Sequence, residues 1–185
     1  MLRKIIRVDT RVSIEIDIVT GDVGWPYAKS VLEAAWPKAE VAASSWGHIK
    51  WANADLRVLV ETPDAVVCHV GLVFRTVLWK GRKHAIGGIG NVATHPDHRR
   101  NGYASIGLNA AVQTFRDREA LDFGLLFCEP HNEAFYEARG WHRFDGTIMA
   151  EQPGGRVRFE AMAPYIFDLK NAPRDGAIDL CGLPW

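Results

Sequence analysis

The sequence predicts an α/β fold, in the α+β sense, with a mixed sheet flanked by helices. Three observations predict it. Stretches of alternating or β-branched residues recur through the first half of the chain. A broad helical pattern follows, from Gly102 to about Glu119. A short, fully apolar run and a second, shorter helical pattern come directly after it. The middle of the chain therefore reads strand, strand, strand, helix, strand, helix, strand.

The elements follow in order. Val12-Ser13-Ile14-Glu15-Ile16-Asp17-Ile18 alternates apolar and polar residues, as a half-buried strand does, and Thr20-Gly21-Asp22 ends it. From Tyr27 to about Ala43 the chain is rich in Ala and Glu and predicts one or two short helices, interrupted by Pro37. Leu56 to Thr62 is β-branched and stops at Pro63-Asp64. Val66 to Trp79 is a long apolar strand, turned at Lys80-Gly81-Arg82-Lys83. His84 to Thr94 is the next strand. Its glycines at 87, 88 and 90 mark a bulge or a close approach to the backbone. Gly102–Glu119 offers Ile106, Leu108, Ala110, Ala111, Val112 and Phe115 to a broad buried face. Phe123 to Cys128 is an apolar strand, and Asn132 to Ala138 a short helix closed by Gly140. Strands are predicted near Phe144–Ala150 and Val157–Leu169, with an irregular tail after Pro173.

Composition narrows the function. The 185 residues suit a single domain over 1–185 with a real core. Lys plus Arg and Asp plus Glu both number 22, so nucleic-acid binding has little electrostatic support. The cysteines, Cys68, Cys128 and Cys181, are odd in number and widely spaced, which argues against a disulfide framework and a zinc site. His95 and His98 lack a helix and a third ligand, so no metal is expected. Arg7 and Asp9 interrupt the start before any apolar run of signal-peptide length, and no stretch is long enough to span a membrane. A cytoplasmic protein with no membrane partner is the expectation.

The central signal is Val92-Ala93-Thr94-His95-Pro96-Asp97-His98-Arg99-Arg100-Asn101-Gly102-Tyr103-Ala104-Ser105. A strand ends, a tight turn follows, and a helix begins. The first turn of a helix presents unpaired N–H groups and a partial positive charge, which suit a pyrophosphate. Gly102 and Ala104 keep the approach open, and Arg99 and Arg100 are unfavourable at that end unless an anion is near. The turn resembles the pyrophosphate-binding motif of the GNAT superfamily of N-acetyltransferases, Gln/Arg-x-x-Gly-x-Gly/Ala, here Arg99-Arg100-Asn101-Gly102-Tyr103-Ala104. The resemblance implies a mostly antiparallel central sheet and acetyl-CoA as co-substrate. It implies a cofactor site formed by Arg99, Arg100, Asn101, Gly102, Tyr103, Ala104 and Ser105. The backbone of Val92, Ala93 and Thr94 would pair with the pantetheine amides.

Downstream, Asn132-Glu133-Ala134-Phe135-Tyr136-Glu137-Ala138-Arg139-Gly140-Trp141 is similar to the family's second motif, with Ala134 one position early. By that likeness Tyr136 is the general acid that protonates the departing thiolate; as a plain aromatic it would pack beside Phe135. Asn132 contacts the pantetheine arm or caps the helix. The implied reaction is direct attack of a neutral amine on the thioester, with a strand N–H near Val92 serving the oxyanion. Many relatives carry a strand glutamate before the phosphate turn. Gly88-Ile89-Gly90-Asn91 has none, so Glu129 is the substitute base, or else a solvated loop carboxylate. His69 and His84 read as structural, and Cys128 as a small buried hydrophobe.

Within the superfamily the chain most resembles aminoglycoside 2'-N-acetyltransferases, through Val92-Ala93, Phe135-Tyr136-x-x-Arg139-Gly140-Trp141 and the terminal Trp185. Leu183-Pro184 stands where those enzymes would have an acid. The expected acceptor is thus a small-molecule primary amine, an aminoglycoside being one option. Glu40, Glu129, Glu133 and Glu151 are candidate carboxylates for a cation. Trp25, Trp36, Trp46 and Trp51 cluster in sequence and either stack on a ring or pack internally. Dimers are common in the superfamily, which makes a homodimer the expectation. Two alternatives stand: a longer acyl donor, in a groove widened by the glycines at 87, 88 and 90, and a non-catalytic acyl-CoA sensor.

Overall fold

A computed structural model describes residues 13–185, and the backbone of Leu2–Ile6 as strand β1. Met1, Arg7, Asp9 and Val12, on which the leader and first-strand readings touched, lie outside the described residues. β1 was not expected. It pairs antiparallel with β2 (Ile14–Thr20), which pairs antiparallel with β3 (Leu56–Glu61). β3 pairs antiparallel with β4 (Val66–Trp79). β4 returns into β5 (Arg82–Thr94) through Lys80 and Gly81, both at positive φ, 50° and 74°. Two left-handed residues in succession give the twist that a two-residue hairpin requires.

The remaining strands are β6 (Phe123–Cys128), β7 (Trp141–Arg143), β8 (Thr147–Gln152), β9 (Gly155–Arg158), β10 (Ala163–Asp168) and β11 (Ala177–Asp179). β5 runs parallel to β6, and β11 parallel to β8; the other described pairings are antiparallel. The helices are α1 (Gly21–Ala35), α2 (Lys38–Ala43), α3 (Tyr103–Arg116) and α4 (Glu133–Glu137). A mixed, mostly antiparallel sheet flanked by helices is therefore the fold. Three boundaries need correction. The strand expected at 144–150 is β8 alone, from Thr147 to Gln152, with β7 before it not expected; the strand 157–169 divides into β9 and β10, and the tail contains β11.

By internal contacts the chain forms two compact units. The first holds residues 1–43, 54–72 and 90–114. Its helix α1 starts six residues before the predicted one, because Pro26 sits inside it rather than before it. Gly21, Gly24, Ala28 and Val31 form its buried stripe. A Cβ on Gly21 would stand 1.9 Å from the Ala54 carbonyl oxygen, so only glycine fits this contact. Val60, Val67, Cys68 and the Tyr103 ring make a small apolar cluster in the same unit.

The second unit holds residues 44–53, 73–89 and 115–185. Its core contains Phe123, Leu125, Phe127, Phe144, Ile148 and Trp185. β6 is buried along its whole length, as expected of a strand with β5 on one side and β10 on the other. Among the described residues no helix is long and apolar enough to cross a membrane.

Candidate active site

In the first unit β5 ends at Thr94, and the His95 amide donates to the Val67 carbonyl at 2.9 Å, which anchors the following turn to β4. A single 3-10 turn, Pro96–His98, comes next, with the His95 imidazole accepting from the Asp97 amide at 3.4 Å. Arg100 and Gly102 both take positive φ, 67° and 80°. The Asn101 side-chain amide donates back to the carbonyls of His98 and Arg99 at 3.2 and 3.4 Å, which fixes the loop between them. α3 then begins at Tyr103. The Ser105 and Ile106 amides donate to the Gly102 carbonyl at 3.0 and 3.1 Å, so the Tyr103 and Ala104 amides are the ones with no helical carbonyl before them. Arg99, Arg100, Asn101 and Gly102 are exposed, and no atom stands within 4 Å of a Cβ placed on Gly102. The Tyr103 ring is buried on Val60, Val67 and Cys68, so only its backbone is available to a ligand.

Upstream in the same unit, β5 bends. Asn91 has φ 51°, left-handed within a strand. Its carbonyl accepts from His69 Nδ1 at 2.8 Å, and His69 Nε2 lies 3.0 Å from Arg57 Nη1. A carbonyl can only accept and a guanidinium only donate, so His69 is the neutral Nδ1–H tautomer. Burial pushes its pKa down to about 4. Burial also raises the Cys68 thiol to about 11, which removes it as a nucleophile.

In the second unit, Glu129 follows β6, and its Oε1 accepts from the Trp46 indole at 3.2 Å. Trp46 meets Trp51 edge-on at 6.4 Å, and Trp51 meets Phe159 at 5.8 Å. Of the four early tryptophans, Trp46 and Trp51 meet here, and Trp25 lies against Arg57 in the first unit. Tyr136 is buried in α4, with Phe135 at 5.1 Å and Trp141 at 6.5 Å. Asn132 makes no side-chain cap; its amide contacts His131 Nε2 at 3.1 Å, which removes the capping alternative. Burial pushes the Cys128 thiol up to about 12, assisted by Glu133, so it is no nucleophile either. Glu133 is paired with Arg143 at 3.2 Å, while Glu40 and Glu151 are exposed. His84 pairs with Asp122 at 2.9 Å, a structural contact.

Residues 20–144 match the family model of the acetyltransferase (GNAT) domain. The chain belongs to this family. Among curated proteins, this GNAT chain is 25% identical over 130 residues to an aminoglycoside 2'-N-acetyltransferase of Mycolicibacterium fortuitum, a match covering 70% of the chain. The chain spans only 63% of that relative's length. Among solved structures, the GNAT-family N-acetyltransferase YhbS of Escherichia coli, determined in complex with CoA, superposes with a TM-score of 0.62 at 15% identity, covering 94% of this chain and 93% of that one. ElaA of Escherichia coli superposes at 0.58 and 12% identity, covering 84% and 99%. At these identities the two structures establish the GNAT fold alone.

Two features of this GNAT domain escaped the sequence reading. One is the Arg57–His69 pair. The other is Tyr165 on β10, fully buried, whose phenol donates to Glu137 Oε1 at 3.4 Å and is pushed up to about 12 by burial and by Glu133. Only the alternation Pro164-Tyr165-Ile166 hinted at it. The groove expected over two of the glycines is not there. A Cβ on Gly87 would stand 2.4 Å from the Phe115 ring, and one on Gly88 2.2 Å from the Trp185 indole. These glycines make room for the protein's own aromatic rings, not for an acyl chain. Gly88→Ala should therefore cost about 1–3 kcal/mol through overpacking, read from the midpoint of chemical denaturation.

Proposed function

We propose that this protein moves an acetyl group from acetyl-CoA to a primary amine of a small molecule by direct attack, as a single GNAT domain over residues 1–185. The observation that carries the reading is the junction of β5 and α3, where Arg100 and Gly102 adopt left-handed conformations immediately before the first amides of the helix. Backbone N–H groups aimed outward beside two exposed arginines form a receptor for a diphosphate. Arg99, Arg100, Asn101, Gly102, Tyr103, Ala104 and Ser105 would hold it, Gly102, Tyr103 and Ala104 mainly through the backbone. Val92, Ala93 and Thr94 would take the pantetheine amides, and Asn132 the arm. Tyr136 would give its proton to the thiolate, and Glu129 would relieve the attacking amine of its own.

A ring-bearing cationic acceptor is favoured by one arrangement. Glu129 offers a carboxylate next to the Trp46 and Trp51 rings, a combination that suits an aminated sugar. The distant aminoglycoside-acetylating relative points the same way.

Calorimetry with CoA tests the first claim. Wild type should bind, and Arg99→Ala with Arg100→Ala should weaken binding about tenfold or more. Absence of heat with wild type defeats the reading. Thiol release from acetyl-CoA across an amine panel that includes aminoglycosides tests the acceptor. CoA binding without turnover of any amine would favour a sensor instead.

A further inference from the structure

The first unit contains a buried polar chain that the acetyl-transfer chemistry has not yet used. Arg57, on β3, is 5% exposed and His69, on β4, is fully buried. Arg57 Nε donates to the Gly21 carbonyl at 2.8 Å, in the first turn of α1, and its guanidinium lies 5.0 Å from the Trp25 ring centre. Arg57 Nη1 donates to His69 Nε2, and His69 Nδ1 donates to the Asn91 carbonyl. Burying an arginine and a histidine is costly unless every polar atom is placed. Apolar residues would fill this space more cheaply, so the pair calls for a reason beyond packing.

That reason is the peptide at its end. Asn91 is left-handed, a conformation that costs a non-glycine residue about 1 kcal/mol or more and needs support from its surroundings. The peptide between Asn91 and Val92 is trans and planar. Its C=O and N–H therefore point in opposite directions. With the carbonyl held against His69, the Val92 N–H is turned away from the buried chain and cannot rotate back without breaking the His69 bond. Arg57 completes the arrangement, because its donation to Nε2 keeps the proton of the imidazole on Nδ1.

We propose that Arg57 and His69 are positioning residues for acyl transfer: they clamp the Asn91–Val92 peptide so that the Val92 N–H is presented to the thioester oxygen. This rests on the acetyl-transfer reading above. Neither side chain touches the reacting atoms. A donor fixed in advance stabilises developing charge without reorganising, and a small misalignment of it weakens the transition state more than the ground state. The chain also links the first turn of α1 to the bend in β5, so a displacement of one is felt at the other.

The test compares wild type with His69→Phe, which keeps the volume but loses both ring nitrogens, and with His69→Gln, which restores a donor. Amide couplings and shifts of Asn91 and Val92, read by NMR on free protein, report the bend without any turnover. In His69→Phe, Asn91 should leave the left-handed conformation. The kcat for acetyl-CoA with the best amine of the panel should fall about tenfold or more, with the CoA dissociation constant changed less than about threefold. His69→Gln should recover part of both. Arg57→Met, which leaves His69 in place, should show the same split more weakly and serves if His69→Phe does not fold. Unchanged Asn91 signals in these variants, or a kcat within about twofold of wild type, would overturn the proposal. Failure of wild type to bind CoA would instead strike the acetyl-transfer reading, since the NMR arm does not depend on it.

Discussion

Tyr136→Phe is expected to lower kcat by about 10²- to 10³-fold while leaving the affinity for CoA nearly intact. The substitution removes one oxygen and no packing volume. The ring contacts with Phe135 at 5.1 Å and Trp141 at 6.5 Å survive it, so the fold should lose only about 1 kcal/mol. What disappears is the proton offered to the leaving thiolate. A group that acts only as the sulfur becomes an anion shows its loss in kcat and not in binding. Steady-state kinetics with calorimetry on the same preparation reads both. Turnover at the wild-type rate would remove Tyr136 from the chemistry and leave it as a packing aromatic.

Folding stability should fall by about 3 kcal/mol between pH 7 and pH 4 on account of His69 alone. Burial depresses this imidazole from 6.5 to about 4, and proximity to Arg57 adds to the effect. In the unfolded chain the ring takes its proton near 6.5; in the folded protein it does so only near 4. Between those values the unfolded state binds more protons, so acid favours unfolding. Above 6.5 the ring is neutral in both states and the contribution vanishes. Chemical denaturation at pH 7 and pH 4, on wild type and on His69→Phe, isolates this share, because phenylalanine cannot titrate. Equal acid sensitivity in the two proteins would contradict it.

Much of this was readable in the sequence, and the reasons are local. Lys80-Gly81 sits between two long β-branched runs, so the β4–β5 hairpin was visible from turn chemistry. The junction from Val92 to Ser105 carries its information in consecutive residues, and so does the Asn132–Trp141 segment. The losses are equally instructive. The Ala- and Glu-rich composition places the helix start at Tyr27, yet the small residues Gly21, Gly24 and Ala28 let α1 approach its strand neighbours closely enough to start earlier. β11 is three residues long, and its pairings with β4 and β8 are remote in sequence. Arg57 is the one charged residue between Leu56 and Val60. Alternation separates the two faces of β3 but does not say which is covered, and Arg57 is buried. Its partner His69 is contributed by β4, where Leu59 is the residue in register with it. No local pattern announces such a pairing, which is why the bend at Asn91 went unanticipated.

Thr20 closes β2 and Gly21 opens α1, with no residue in between. The joint has no slack. One added residue would rotate the helix by about 100° and swing Gly24, Ala28 and Val31 out of register with their neighbours. Length drift among related sequences should therefore be confined to slacker joints, such as Pro153–Gly154 at the tip of the β8–β9 hairpin.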